Sequence, residues 1–387
     1  MSQNLMKSFG LDGAGVNVSA EQIRTERVTW KELPRHCDAW GTLAGKAATP
    51  NVFNDPAFAI PAAQALGADE QLHAILAWSG DELVGFMPFR RVNRWGVPFP
   101  VVEVWAHAYA PSCLPLIAKD CAEAVTIALI DAVTADRELP GIVMMPSLSL
   151  DTPFAAALLS VRKPLYVHGG HQRAVARSDL DGDAYLQETI KGSRRKRLRQ
   201  QLSGLRKEGD VVFDLAGDSA GVAAALDVFL TLEASGWKGK AGSALQSDEA
   251  ISAFTRDAVT ALAVQGKAQI MTMTASGKPI ASLIVFVEPG TAWLWKIAYD
   301  EDFARHSPGK HVLMEAVRLL LNAQPGLFID SCATPDHPLA DMILGERMAM
   351  GDVVVSAGGR AGPAFRTANL LERLRGRARA LKHRLKG

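Results

Sequence analysis

The stretch that most constrains this chain is residues 293–330, where an apolar, strand-like segment (WLWKIAYD) runs through EDFARH into Ser307-Pro308-Gly309-Lys310-His311. From there an apolar stripe at helical spacing predicts a long helix, and FIDSCA predicts a returning strand. Strand, turn, helix and strand in that order place a helix start where it can meet an anion. Ser307 suits an N-cap, Pro308 suits the first helical position because its missing N–H would be unpaired there, and Gly309 removes a Cβ that would hold a ligand off the backbone. Arg305, His306, Lys310 and His311 crowd the same helix start, where the macrodipole is already positive and cations are normally disfavoured. Two readings fit: a phosphate-sized anion site, or a capped helix with a solvated basic rim.

The chain around it has 387 residues, 48% hydrophobic and 21% charged, which predicts a globular protein of two domains. A formal net charge of +1 means that any polyanion site must be local. Cys37, Cys113, Cys121 and Cys332 share no metal-ligand spacing, so reduced thiols and no metal are expected. The N-terminus lacks a secretory pattern, and no stretch approaches the roughly 20 apolar residues of a membrane span. The expected location is the cytoplasm.

Residues 1–26 read as a flexible leader and 27–165 as a first α/β unit, with Gly80-Asp81 as a hairpin turn between two apolar strands. Where a phosphate loop would fall, this half has residues 107–112 (HAYAPS), with no glycine, lysine or arginine. After a turn-rich segment at 164–170, residues 170–356 read as a second α/β unit. A helix at 193–209 carries Arg194, Arg195, Lys196, Arg197 and Arg199 beside an apolar face of Leu198, Leu202 and Leu205. A solvated face and a nucleic-acid contact are both open for it. The loop Ser235-Gly236-Trp237-Lys238-Gly239-Lys240 and a three-strand meander with turns at 276–277 and 288–290 follow. Residues 357–387 read as a basic tail, a linker followed by an amphipathic stretch at 370–385 suited to an acidic membrane surface or to plain solvent exposure.

Over 179–355, the order helix, strand, helices, meander, Ser-Pro-Gly turn, helix, strand resembles the GNAT superfamily of acyltransferases. The strings EASGWKGKAGSAL (233–245) and WKIAYDEDFARHSPGKHVLMEA (295–316) resemble the bacterial branch linked to cellulose and exopolysaccharide biosynthesis. That branch is similar to the Fem-type transferases, which carry two GNAT-like units in tandem. The implied fold is α/β with a mixed sheet, two tandem GNAT-like units, the first degenerate. The usual Q/R-x-x-G-x-G/A loop is represented by Arg305 to Lys310, with Pro308 in place of the first glycine and Gly309 one position late.

The resemblance implies transfer from acetyl-CoA or another acyl-CoA, without a metal, to a small-molecule or saccharide acceptor. The donor would lie along Trp295, Ile297 and Ala298 and reach Arg305, His306, Ser307, Pro308, Gly309, Lys310 and His311. An attacking amine has a pKa of about 10 and must lose a proton. Candidates are Asp330, then His337 and Asp336, with Lys296 and Tyr299 on the donor strand and Tyr299 placed to reprotonate the leaving thiolate. Trp237 and Lys238 are candidates for acceptor contact, although core packing is the simpler expectation for Trp237. Two other functions fit the resemblance: a tRNA-dependent Fem-type transferase, less favoured because the helical hairpin insertion is missing, and a non-catalytic partner in a polysaccharide-synthesis complex.

Overall fold

The computed structural model describes residues 22–160 and 163–384. In chain order its strands are β1 (Ile23–Thr29), β2 (Leu72–Ser79), β3 (Glu82–Val92), β4 (Val101–Val104), β5 (Leu116–Ile117), β6 (Ile142–Ser149), β7 (Leu165–Arg177), β8 (Val211–Ala216), β9 (Ala268–Ala275), β10 (Lys278–Glu288), β11 (Thr291–Tyr299), β12 (Phe328–Asp330) and β13 (Glu346–Ser356). The α-helices are α1 (Cys37–Lys46), α2 (Pro56–Ala65), α3 (Ala122–Ala135), α4 (Pro153–Ser160), α5 (Gly182–Thr189), α6 (Gly192–Glu208), α7 (Ser219–Ser235), α8 (Trp237–Lys240), α9 (Glu249–Val264), α10 (Pro308–Ala323), α11 (Ala340–Ile343) and α12 (Pro363–Arg384). The α/β class with mixed strand pairing is as expected. Two compact units share these elements. The first takes the described residues up to Pro56, Ala68–His171 and those from Met348 onward; the second takes Ala57–Gly67 and Gln172–Arg347.

In the first unit the strand order is β1-β2-β3-β4-β6-β13, with β5 beside β3. Gly80 and Asp81 turn β2 back into β3, with Gly80 at φ 58°. The pairs are antiparallel except β4 with β6. Helix α3 lies so close to β3 that a Cβ at Gly85 would run into Val125 and Ala77. Residues 23–26 belong to β1 rather than to a leader, and residues 1–21 lie outside the described residues. The expected basic tail is also more ordered than its composition suggests. Helix α12 begins at Pro363 and packs Phe365 and Ala368 against Val101, Ile142, Met144 and Val354. Arg94 is buried between Glu103 and Glu372, with its Nε 3.1 Å from Glu372 Oε2, and Trp95 Nε1 donates to that same oxygen at 2.7 Å.

In the second unit the order is β7-β12-β11-β10-β9-β8. The segment expected to be turn-rich at 164–170 is instead the start of β7, whose Val175, Ala176 and Arg177 pair with β12. Strands β9 to β11 form the expected three-strand antiparallel meander, turning at Ser276-Gly277 (φ 49° and 79°) and at Gly290 (φ 79°), and β8 adds antiparallel to β9. Alternation along β10 sends Leu283 and Val285 to one face and Ile284 and Phe286 to the other. The first face meets Leu198 and Leu205 of α6 and Val312, Ala316 and Val317 of α10. On the other face Phe58 of α2 stands edge-on to Phe254 at 5.2 Å and to Trp295 at 5.6 Å. The aromatic contacts explain why α2, expected in the first half, counts with the second unit: its Phe58 is fully buried among that unit's aromatic residues.

Candidate active site

Strand β11 pairs along its whole length with β10, but with β12 only at Thr291, Ala292 and Trp293. Past Trp293 that side of β11 therefore runs on without its strand partner. The β10 register also breaks here: Ile284 and Val285 are consecutive, yet their partners are Lys296 and Leu294, so Trp295 is the extra residue of a β-bulge. Beside this edge lies an open cleft of about 470 Å³ lined by the strand residues Ile297, Ala298 and Tyr299 and by Ser307, Pro308, Gly309 and Lys310 at the start of α10. Trp237 and Lys238 of α8, and His337, complete the list of expected residues that the fold brings to it. Trp237 is 55% exposed, so it is a wall of the cleft rather than a core residue.

Ser307 is not the helix cap its type suggests. Its backbone is left-handed (φ 54°, ψ 49°) and its hydroxyl makes no cap bond. That hydroxyl is 3.2 Å from Gln201 Nε2, which donates to it and to the Arg305 carbonyl at 2.9 Å. Proline at 308 disfavours the right-handed region for Ser307, and the left-handed one costs about 1–3 kcal/mol. The chain thus turns from the short 3-10 segment Glu301–His306 directly into α10, leaving the helix start without a side-chain cap. A Cβ at Gly309 would lie in van der Waals contact with the Tyr299 ring, 3.4 Å away.

The basic rim is only partly directed at the cleft. Arg305 gives both Nη2 contacts to Glu208, at 2.9 Å each, and its Nε donates to His306 Nε2 at 2.8 Å. His306 is buried, with Nδ1 3.2 Å from the Gln201 carbonyl and Nε2 3.3 Å from Glu208 Oε1. His311 is buried in the helix, where burial pushes its pKa down to about 4 against a hydrogen bond to the His306 backbone. Of the four basic groups expected at the helix start, Lys310 alone lines the cleft.

Asp330 does not line the cleft. It is buried at the end of β12, where it accepts from Arg173 Nη1 at 3.2 Å and from the Cys332 amide at 2.8 Å. Trp295 is turned into the aromatic cluster of Phe58, Phe254 and Phe286. Lys296 stands over the Trp295 ring at 5.7 Å; burial lowers its pKa, and the charge of Lys238 pushes the same way. Asp336 has a left-handed backbone (φ 55°), and His337 Nδ1 is 3.4 Å from the Ala340 amide. Cys332 is held protonated by burial and by the Asp330 charge, which removes it as a nucleophile.

One central group escaped sequence reasoning. Glu233 is buried, accepts from Lys238 Nζ at 2.7 Å and from the Leu245 amide at 2.8 Å, and so ties both ends of the loop after α7 to the cleft floor. Lys238 Nζ is also 3.2 Å from the Ile297 carbonyl, on the unpaired side of β11. The available signal was position: Glu233 falls in register with Val222, Leu226 and Phe229 on the buried side of its helix.

Residues 192–324 match the Acetyltransferase (GNAT) domain family. The matched residues lie within the second unit and run from the start of α6 to just past α10. Among solved structures, the chain is similar to the crystal structure of FemX (11% identity, TM-score 0.51, covering 86% of this chain and 96% of that one). It is also similar to L-PGS from Bacillus licheniformis (13% identity, TM-score 0.51, 89% and 97%). At these identities the likeness is one of fold. No curated protein matches the sequence.

Proposed function

We propose that the second unit is an acyl-CoA-dependent N- or O-acyltransferase, with acetyl-CoA as the simplest donor and a saccharide or other cell-envelope precursor as acceptor. The observation that carries this reading is the junction, in one cleft, of a bulged strand that runs on past its β12 partner with a helix start that has no side-chain cap. The edge offers backbone groups to the amides of an extended donor, and the helix start offers its positive dipole end and Lys310 to its phosphates. The thioester supplies an activated acyl carbon. Backbone N–H groups on the stretch of β11 that runs past β12 are suited to polarise its carbonyl. His337 lines the cleft and Asp330 does not, so His337 is the better placed to take the acceptor's proton, directly or through water. Tyr299, 37% exposed, is placed to return a proton to the leaving thiolate. Trp237 offers a flat apolar face to a sugar ring.

Calorimetry with acetyl-CoA and longer acyl-CoAs tests the donor, comparing wild type with Gly309→Glu/Lys310→Glu. Saturable binding to the wild type and none to the variant is expected; equal binding by both, or by neither, would sink the reading. With an acceptor in hand, His337→Ala is expected to lower kcat by about 100-fold or more while donor affinity holds.

A second reading has its own support. Helix α6 exposes Arg194, Lys196, Arg197, Arg199, Arg206 and Lys207, and the fold is similar to FemX. A tRNA-dependent transfer then requires salt-dependent tRNA binding that weakens when those side chains are neutralised. Binding of CoA without tRNA at low salt removes it. Failure of every donor to turn over would favour a non-catalytic role in a polysaccharide-synthesis complex.

A further inference from the structure

Among its described residues, helix α12 buries one side against its own unit. Phe365, Ala368, Asn369 and Glu372 are buried, with His168 Nε2 2.7 Å from Asn369 Oδ1. The opposite side carries Leu370, Leu374 and Leu381, which are 56%, 49% and 59% exposed. Their spacing places them in one stripe, about 16 Å long at the rise of a helix. Arg366, Arg373 and Arg377 fall on the same side and are exposed. The patch continues onto β7, where Tyr166 is exposed, the Arg373 guanidinium stands 5.7 Å over the Tyr166 ring, and that ring stacks on Phe365 at 5.8 Å.

Single exposed leucines are ordinary on a protein surface, but three in register beside three arginines are not scattered. The only acid in α12, Glu372, is turned inward and held by Arg94, so nothing acidic on the helix opposes the outward charge. We propose that this face docks on an anionic phospholipid surface, with α12 lying along the membrane plane, the leucines and Tyr166 at the acyl boundary and the arginines on headgroup phosphates. A second copy of the chain fits less well, because a two-fold contact would set the arginine row against its own counterpart. Nucleic acid would use the arginines and leave the leucine stripe in water. No helix among the described residues is long and apolar enough to cross a membrane, so the contact is peripheral.

The test is cosedimentation of the full chain with vesicles containing phosphatidylglycerol and with vesicles of phosphatidylcholine alone. Binding to the first and not the second, weakened by salt, is expected. Arg373→Gln/Arg377→Gln should weaken it about fivefold per arginine. Leu370→Ser/Leu374→Ser should weaken it as well, a loss that charge alone would not produce. All four sites are solvent-facing, and circular dichroism with an unchanged unfolding midpoint checks that both variants fold. The proposal is overturned if the wild type pellets with neither vesicle, or if wild type and both variants bind alike. It is equally overturned if, without lipid binding, the leucine pair abolishes self-association or the arginine pair abolishes RNA binding; each of those results gives the face to that other partner.

Discussion

His311 shows how a side chain can look like a ligand and serve the core. It sits four residues after Ser307, on the side of α10 that packs, and burial holds it neutral with a pKa of about 4. The unfolded chain binds that proton near the ordinary value of 6.5, so the stabilisation is complete above about pH 6.5 and lost as pH falls toward 4, up to about 3 kcal/mol. Urea unfolding at pH 7 and pH 5 should therefore show a drop for the wild type and a smaller drop for His311→Gln. Equal drops would mean that His311 does not titrate on unfolding. The sequence placed His311 correctly at the helix start but could not show which way it points, since basic residues there fit a ligand site and a packed turn alike. Arg305 carries the same lesson: its partner Glu208 lies about a hundred residues upstream, beyond any local pattern.

At the scale of elements, the meander, its turns and α10 were legible because their signals are local: alternating apolar residues, left-handed turn positions, and an apolar stripe. Strand β7 was not, since the glycine- and histidine-rich run at its start has no alternation and its strand state comes from partners far along the chain. Helix α12 was legible only in part, because its buried side includes Asn369 and Glu372, whose burial depends on His168, Arg94 and Trp95. In the site, the loop after α7 was noticed for Trp237 and Lys238, yet its geometry rests on Gly239. A Cβ there would overlap the Ala234 carbonyl at the end of α7. Gly239→Ala is accordingly expected to lift α8 from α7, lower stability by about 1–3 kcal/mol and weaken donor binding. Thermal unfolding and calorimetry measure the two effects, and a variant normal in both would show that α8 is not braced by α7.

For the whole molecule, each unit has one feature beyond apolar burial that governs how it behaves. In the first, Arg94, Glu103 and Glu372 form a buried charge network between β4, the residues after β3, and α12. Burial works to raise the Glu372 pKa, but the hydrogen bond and charge of Arg94, with Trp95, bring it below the usual carboxylate value. Removing one member strands the others, so Glu372→Ala should cost about 3–5 kcal/mol, whereas the exposed Arg24→Ala should change little. Thermal unfolding of the two variants side by side measures the contrast, and similar midpoints would mean that the network is not needed. In the second unit the corresponding feature is the shortness of β12. Because β12 stops at Asp330, the outer edge of β11 is a template on which any extended chain could form sheet. Lys238, anchored on Glu233 and touching the Ile297 carbonyl, stands guard on that edge. A residue on the proposed donor track would also protect the protein from associating through it, and its removal is expected to open the strand to a donor and to neighbouring molecules alike.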